Sequence, residues 1–380
     1  MRHIPRLFIF CLVFCLAPAI LLAQADCPAI VQTALDAADI MCQNTGRNQA
    51  CYGNIDISAQ ASVDAQDFRF QVVGDTVNVS DLQTMRLSPM NEETGAWGVA
   101  VLRLQANLPD TLPGQNVTFL LFGDVEISNA VDPSDTTQRP MQAFVLRTGV
   151  SDAGCDEAPE SGLLVQTPEG AEEIAFNVNG VDVSMGSTVL FQADPNEGMS
   201  VSTLEGAAFV AAEDDAQPII PGSWVRIALD GELRAAAGPE LPESYERRAR
   251  ILQNLPIRLL QRRIDIAPPL TPEQLQLVRE RIQNDLLPCG VEGLPPCEQF
   301  ARFLRTRVQF CRDLPAGQRP RFCLRLARFM QNTVFPAATM TAEAGGTLGG
   351  APAVIATNPP PPPPPPAVDD DDDDGGDSDD

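Results

Sequence analysis

Cysteine and arginine are the two residue types in this sequence with chemistry to offer. Of ten Cys, Cys11 and Cys15 sit in an apolar leader. The other eight are Cys27, Cys42, Cys51, Cys155, Cys289, Cys297, Cys311 and Cys323, two sets of four separated by 133 Cys-free residues (156–288). An even number in an exported chain implies disulfides. The spacing suggests two bridges in each half and leaves the connectivity open. Every one of the 26 basic residues is Arg, and the only His is His3. Without imidazole or amine beyond the leader, the chain cannot build a Ser/His/Asp triad, a Cys/His dyad, a lysine Schiff base or a P-loop lysine. It also has no C-x-x-C, which removes the common zinc and redox motifs. The expectation is a non-enzymatic protein with no cofactor and no metal.

The arginines are concentrated. Residues 26–242 hold 32 acids and 8 Arg, residues 243–330 hold 16 Arg and 9 acids, and residues 331–380 hold ten acids and no Arg, within a formal net charge of −25. Arg302, Arg305, Arg307, Arg321, Arg325 and Arg328 are the candidate anion-binding residues, the densest part of a cationic surface. Nucleic acid is the usual reading of such density, but an exported protein rarely meets it. An envelope protein, an anionic polymer such as envelope polysaccharide, anionic lipid, or the chain's own acidic segments fit better. The competing reading is solubility, since Arg must do the work of Lys here. Carboxylate pairs occur at Glu92-Glu93, Glu172-Glu173 and Asp214-Asp215. An extracellular glycan hydrolase would need two acids about 5–10 Å apart, in a cleft lined by Trp97 or Trp224. With so few aromatic platforms, solvated turns are the simpler account. A calcium-dependent adhesin is a third alternative, resting on the Asp369–Asp374 run. That run lacks EF-hand spacing, so a solvated acidic tail is expected.

The elements that must position these residues are legible in outline. Residues 1–25 read as a signal peptide: Arg2 and Arg6, an apolar Leu7 to Leu22, then Ala23-Gln24-Ala25. The mature chain is expected to begin at Asp26, to be secreted or periplasmic, and to have no integral membrane segment. Residues 26–53 form a Cys-clamped helix, with Ile30, Val31, Leu35, Ala38 and Met41 at helical spacing. Residues 54–160 alternate with period two, as in Ile55-Asp56-Ile57, Phe68 to Val72, Thr76 to Val79, Val99 to Leu104 and Val117 to Phe122. A second β module occupies 161–236. The fold class is mainly β, an antiparallel sandwich or barrel. It is followed by a disulfide-stabilised, Arg-rich helical domain (243–332). There, Ser244 to Leu260 reads as a helix kinked at Pro256, and Thr271-Pro272-Glu273-Gln274 as a capped helix start. The stretches 297–311 and 320–330 read as a helical hairpin. In an antiparallel hairpin the end of one helix lies near the start of the next, which favours Cys311–Cys323 and leaves Cys289–Cys297 as a local loop. Residues 337–380 are low complexity, with eight prolines (359–366) before the Asp run. They read as a disordered tail built on a polyproline spacer.

The strand sequences of the second module carry a resemblance. Val181 to Phe191, then Met199-Ser200-Val201-Ser202-Thr203-Leu204-Glu205-Gly206 to Val210, then Ile220-Pro221-Gly222-Ser223-Trp224-Val225, resemble the FecR-type domain over about residues 165–235. The resemblance implies a small all-β module of short strands, often a scaffold or interaction domain in exported bacterial proteins. Its glycines read as turn residues. The family's best-known members signal through a membrane helix and a cytoplasmic segment. This chain carries neither, so that role is not implied. The stretches Cys42 to Asn54 and Leu104 to Glu126 are similar to secreted proteins of Chloroflexota-type bacteria, a likeness that brings no activity with it.

Overall fold

The computed structural model describes residues 26–105, 116–131, 139–149, 158–169, 171, 173–248, 252 and 254–333, all within one unit, Met1–Thr339. The leader, Cys155 and the tail 337–380 lie outside the described residues.

Helix α1 (Cys27–Cys42) begins where the sequence supplies a cap. The Asp26 carboxylate accepts from the Ala29 amide at 3.2 Å, and Pro28 sits in the first turn, where its missing N–H costs no helical bond. Ile30, Val31, Ala34, Leu35 and Ala38 form its buried face. The Cys42–Cys51 disulfide ties its end to the first strand, and Cys27 is also disulfide-bonded.

Fifteen strands follow among the described residues: β1 (Gln49–Tyr52), β2 (Ile57–Ala61), β3 (Thr76–Asn78), β4 (Leu82–Leu87), β5 (Val99–Leu104), β6 (Val117–Phe122), β7 (Val125–Asn129), β8 (Ala143–Thr148), β9 (Gly162–Gln166), β10 (Ile174–Val178), β11 (Val181–Asp194), β12 (Gly198–Ala212), β13 (Asp215–Ile219), β14 (Ser223–Ile227) and β15 (Glu243–Ser244). They form one curled sheet in the order β2-β4-β7-β8-β10-β11-β9-β6-β5-β1-β3, with β12 joining β11 to β13 and β14. Pairing is antiparallel except between β8 and β10. The boundary expected at 160/161 therefore falls inside a hydrogen-bonded sheet, since β9 pairs with β6 and β10 with β8.

The two long strands bind the sheet's halves together. The first part of β11 pairs with β10 and the last part with β9. Where it changes neighbour, Thr188 faces Glu205 but Val189 faces Thr203, so Leu204 is an extra residue in β12. Such a bulge reverses which residues face inward. Met199 and Val201 point into the main core, whereas beyond the bulge Ala208, Val210 and Ala212 do. Gly206 (φ +79°) is required there, because a Cβ would lie 2.0 Å from the Gly186 carbonyl oxygen. The Leu-Glu-Gly motif, expected to contribute a turn glycine, is thus the bulge in the middle of a strand.

The sheet's inner face encloses one core, built from residues such as Leu102, Phe119, Phe144, Phe176 and Phe191. Its outer face is covered in two places. Under α1, Val99, Val101, Leu120 and Phe122 are buried as well, so β5 and β6 are covered on both sides. Their sequences are accordingly continuous apolar runs rather than clean alternations. The segment 255–266 crosses the same face with Leu255, Leu259, Leu260 and Ile264 buried. A helix is expected over Ser244 to Leu260; among the described residues of that stretch there are instead two short 3-10 turns, Tyr245–Arg248 and Ile257–Leu259. Pro256 forbids a continuous helical ladder, and Tyr245, buried with its hydroxyl donating to the Thr203 carbonyl, anchors the chain to the sheet instead. Phe68 to Val72 is also irregular. The Asp75 carboxylate accepts from the Gln71 and Val72 amides (2.8 and 3.0 Å), satisfying locally the groups a strand would have paired.

Three helices complete the fold: α2 (Pro272–Gln283), α3 (Glu298–Asp313) and α4 (Phe322–Asn332). The capping box at the start of α2 forms as its sequence implies, between Thr271 and Gln274. Phe300, Phe303, Leu304, Leu326 and Phe329 share a core with Ala207, Phe209 and Ala211 of β12. The helical region therefore rests on the outer face of the sheet.

Candidate functional site

The site is assembled at the hairpin of α3 and α4. Their antiparallel arrangement is fixed by the Cys311–Cys323 disulfide, the pairing the hairpin geometry favours, while Cys289–Cys297 closes the loop before α3. Helix α3 has Glu298 in its first turn and Arg312 in its last, both favourable to the helix dipole. Leu314-Pro315 ends it. The Arg319 guanidinium donates to the Leu314 and Arg312 carbonyls (3.0 and 3.1 Å), satisfying groups the helix end leaves open.

The six candidate arginines divide by what they touch. Arg307 donates to Ser184 Oγ (2.7 Å) and the Val183 carbonyl (2.9 Å), tethering α3 to β11. Arg325 is the hub of a half-buried network. It pairs with Asp285, faces Asp215 at 3.3 Å, donates to the Ile282 carbonyl at 2.6 Å, and lies 4.8 Å from the centre of the Phe329 ring. Arg328 reaches the second Asp285 oxygen at 3.1 Å. Arg302 is half-buried and already partnered. Arg305 is half-buried and Arg321 exposed, and neither forms a hydrogen bond or ion pair among the described residues. The expected single cationic surface is thus split: Arg307, Arg325 and Arg328 hold the helices to the sheet and to one another, and Arg321 faces outward.

Arg321 belongs to a different constellation. A groove of about 540 Å³ runs along the outside of the hairpin. Arg312, Arg319 and Arg321 stand at its turn end. Val308, Pro320, Leu324, Ala327, Met330, Gln331 and the Cys311–Cys323 disulfide line the rest, and none of its described lining residues is acidic. Leu324 is 71% exposed. The sequence reading missed the groove, though a signal existed. Phe322, Leu326 and Phe329 mark the buried face of α4, and Leu324 lies out of phase with them.

A second polar cluster pins the crossing segment 255–266 to the bulge. Arg262 donates to both Glu205 oxygens (3.1 and 2.7 Å) and to Ser187 Oγ (2.8 Å), and Ser187 donates to Glu205 at 2.7 Å. The Gln166 side chain closes two bonds with the Arg262 backbone. Burial raises the Glu205 carboxyl, but the hydrogen bonds from Arg262 and Ser187 and the Arg262 charge outweigh it, leaving the group below its usual range. The cluster has no free base or nucleophile and acts as a clamp.

The features a glycan hydrolase would need are dispersed. Trp97 is buried, 6.4 Å from Phe122 between ring centres. Glu92 and Glu93 are exposed, Asp214 is exposed while Asp215 faces Arg325, and Glu172 lies outside the described residues. Among the described residues no group of three or more His, Cys, Asp or Glu could hold a metal ion. The Asp run lies outside them. No described helix is long and apolar enough to cross a membrane. The three disulfides fit an oxidising, extracellular or periplasmic compartment.

No protein-family model, curated protein or solved structure matches the chain.

Proposed function

We propose that this chain is an exported, non-enzymatic binding or envelope-scaffold protein whose helical hairpin presents an arginine cluster to an anionic partner. The observation that carries the reading is the convergence of Arg312, Arg319 and Arg321 at one end of a groove whose described lining residues include no acid, in a chain of net charge −25. Three like charges held together repel one another, and an anion relieves that cost. The neighbouring Arg325 differs because it is matched by Asp285 and Asp215. In this reading the leader directs export, and the FecR-like segment serves as a rigid scaffold. The resemblance spans β12 and β13, the strands against which α3 and α4 pack.

The test is retention of the full mature chain on three immobilised polymers: polygalacturonate, a neutral dextran and a polycation. Salt-sensitive retention on polygalacturonate that is lost in the Arg312→Glu/Arg321→Glu double variant supports the reading. Retention that is equal on dextran, or unchanged in the variant, refutes it.

A further inference from the structure

We infer that the hairpin groove is a binding site for a single-chain anionic amphiphile of the fatty-acid class, with its carboxylate at the arginine end and its alkyl chain along α4. The inference deepens the reading of the arginine cluster and rests on it.

The argument begins from a polarity gradient. Arg312 closes α3, Arg319 lies in the connection and Arg321 precedes α4, so all three sit at the turn of the hairpin. Leu324, Ala327 and Met330 then recur every third residue along α4, a spacing that places them on one helix face. From Arg321 to Met330 is nine residues, or about 13 Å at ~1.5 Å per residue. Val308, on the facing helix, contributes the opposite wall. One end of the groove is therefore cationic and the remainder mainly apolar, with Gln331 beside Met330 at the far end. A polysaccharide is polar along its whole length and would leave the apolar floor unmatched. An alkyl chain without a head group would leave the charges of Arg312 and Arg321 unmatched, Arg319 being engaged with the end of α3. A head-and-tail molecule satisfies both.

Size and charge point the same way. A volume of about 540 Å³ lies in the ordinary range for small-molecule sites, roughly 300–1,000 Å³. Arg321 is exposed and without a partner among the described residues, so its planar fork is available for a carboxylate. Leu324 is a large apolar side chain left mostly in water. Covering it is favourable in proportion to the area removed from solvent.

The experiment is calorimetric titration of the full mature chain with butyrate, octanoate and laurate below their micellar concentrations, alongside polygalacturonate and phosphatidylglycerol vesicles. Laurate should bind at one site per chain. Affinity should rise at least ~20-fold from octanoate to laurate, against roughly 200-fold for complete burial of the four added methylenes. Leu324→Glu should abolish the chain-length dependence, and Arg321→Glu should weaken laurate about tenfold while leaving dodecanol unaffected. Both positions are exposed, so both variants should keep the parent melting temperature. Polygalacturonate binding without laurate binding would overturn this inference and leave the proposed function standing. Binding of neither ligand would overturn both. Binding to vesicles but not to monomeric laurate would overturn the groove assignment in favour of a membrane surface.

Discussion

Replacing Arg325 with Ala tests the division of the arginines into internal and outward-facing groups. The side chain is 13% exposed and its partner Asp285 20% exposed, so solvent screens the pair little. Removing the guanidinium leaves Asp285 and the Ile282 carbonyl short of a donor and removes the contact with Phe329. Breaking a buried pair from one side costs about 3–5 kcal/mol. Arg328 still reaches Asp285, and Asp215 is 35% exposed, so the low end applies: about 3 kcal/mol. That is a large part of a typical total of roughly 5–15 kcal/mol. It should move the urea midpoint by about 1 M or more. Arg321→Ala should stay within about 0.5 kcal/mol of the parent, as exposed substitutions do. The assay is equilibrium urea unfolding of both variants in parallel, followed by tryptophan fluorescence and far-ultraviolet circular dichroism. An Arg325→Ala variant as stable as the parent, or an Arg321→Ala variant equally destabilised, would refute the division.

Other consequences follow from the same contacts. Replacing Cys311 and Cys323 with Ser opens a link with a sequence separation of 12. The chain-entropy relation gives about 3 kcal/mol for it, which thermal denaturation of the variant against the parent will measure. Tyr245→Phe leaves the buried Thr203 carbonyl without its hydroxyl donor and should cost about 1–2 kcal/mol in the same assay. Glu205 has a folded-state carboxyl held below its usual value of 4.5. Its contribution is therefore complete above the unfolded value and disappears as pH falls through the lowered folded one. The protection factor of the Arg262 amide, corrected for the intrinsic exchange rate, should fall on acidification below about pH 4.5, and Glu205→Gln should flatten that dependence. An unchanged profile in the variant would assign the acid sensitivity elsewhere.

Sequence pattern revealed much of this fold and less of the site. Helix α1, the capping box at Thr271 and the hairpin cysteines are local signals, carried by residues a few positions apart, and each is read directly. The β strands were visible individually, but their partners are set by long-range packing. Nothing near residue 160 shows that β9 will insert between β6 and β11. Leu204-Glu205-Gly206 looked like turn chemistry because a bulge and a turn ask for the same residues. The sense of the alternation on either side, odd positions inward at Val201 and even ones at Ala208, was the clue to the bulge. The segment after Ser244 carried helical spacing, yet burial of Tyr245 and the break at Pro256 determined its course. At the site, composition located the arginines but could not tell a structural one from a free one. Arg325 and Arg321 differ only in which carboxylates the fold brings near them, and that depends on Asp285 and Asp215, 40 and 110 positions earlier in the chain.

The most direct test of the central claim is the affinity of the protein for polygalacturonate at low and at high salt, with and without the Arg312→Glu/Arg321→Glu substitution. The account predicts binding that weakens steeply with salt and falls at least about tenfold in the variant, with the parent's circular dichroism spectrum retained. Equal affinity of parent and variant would contradict it.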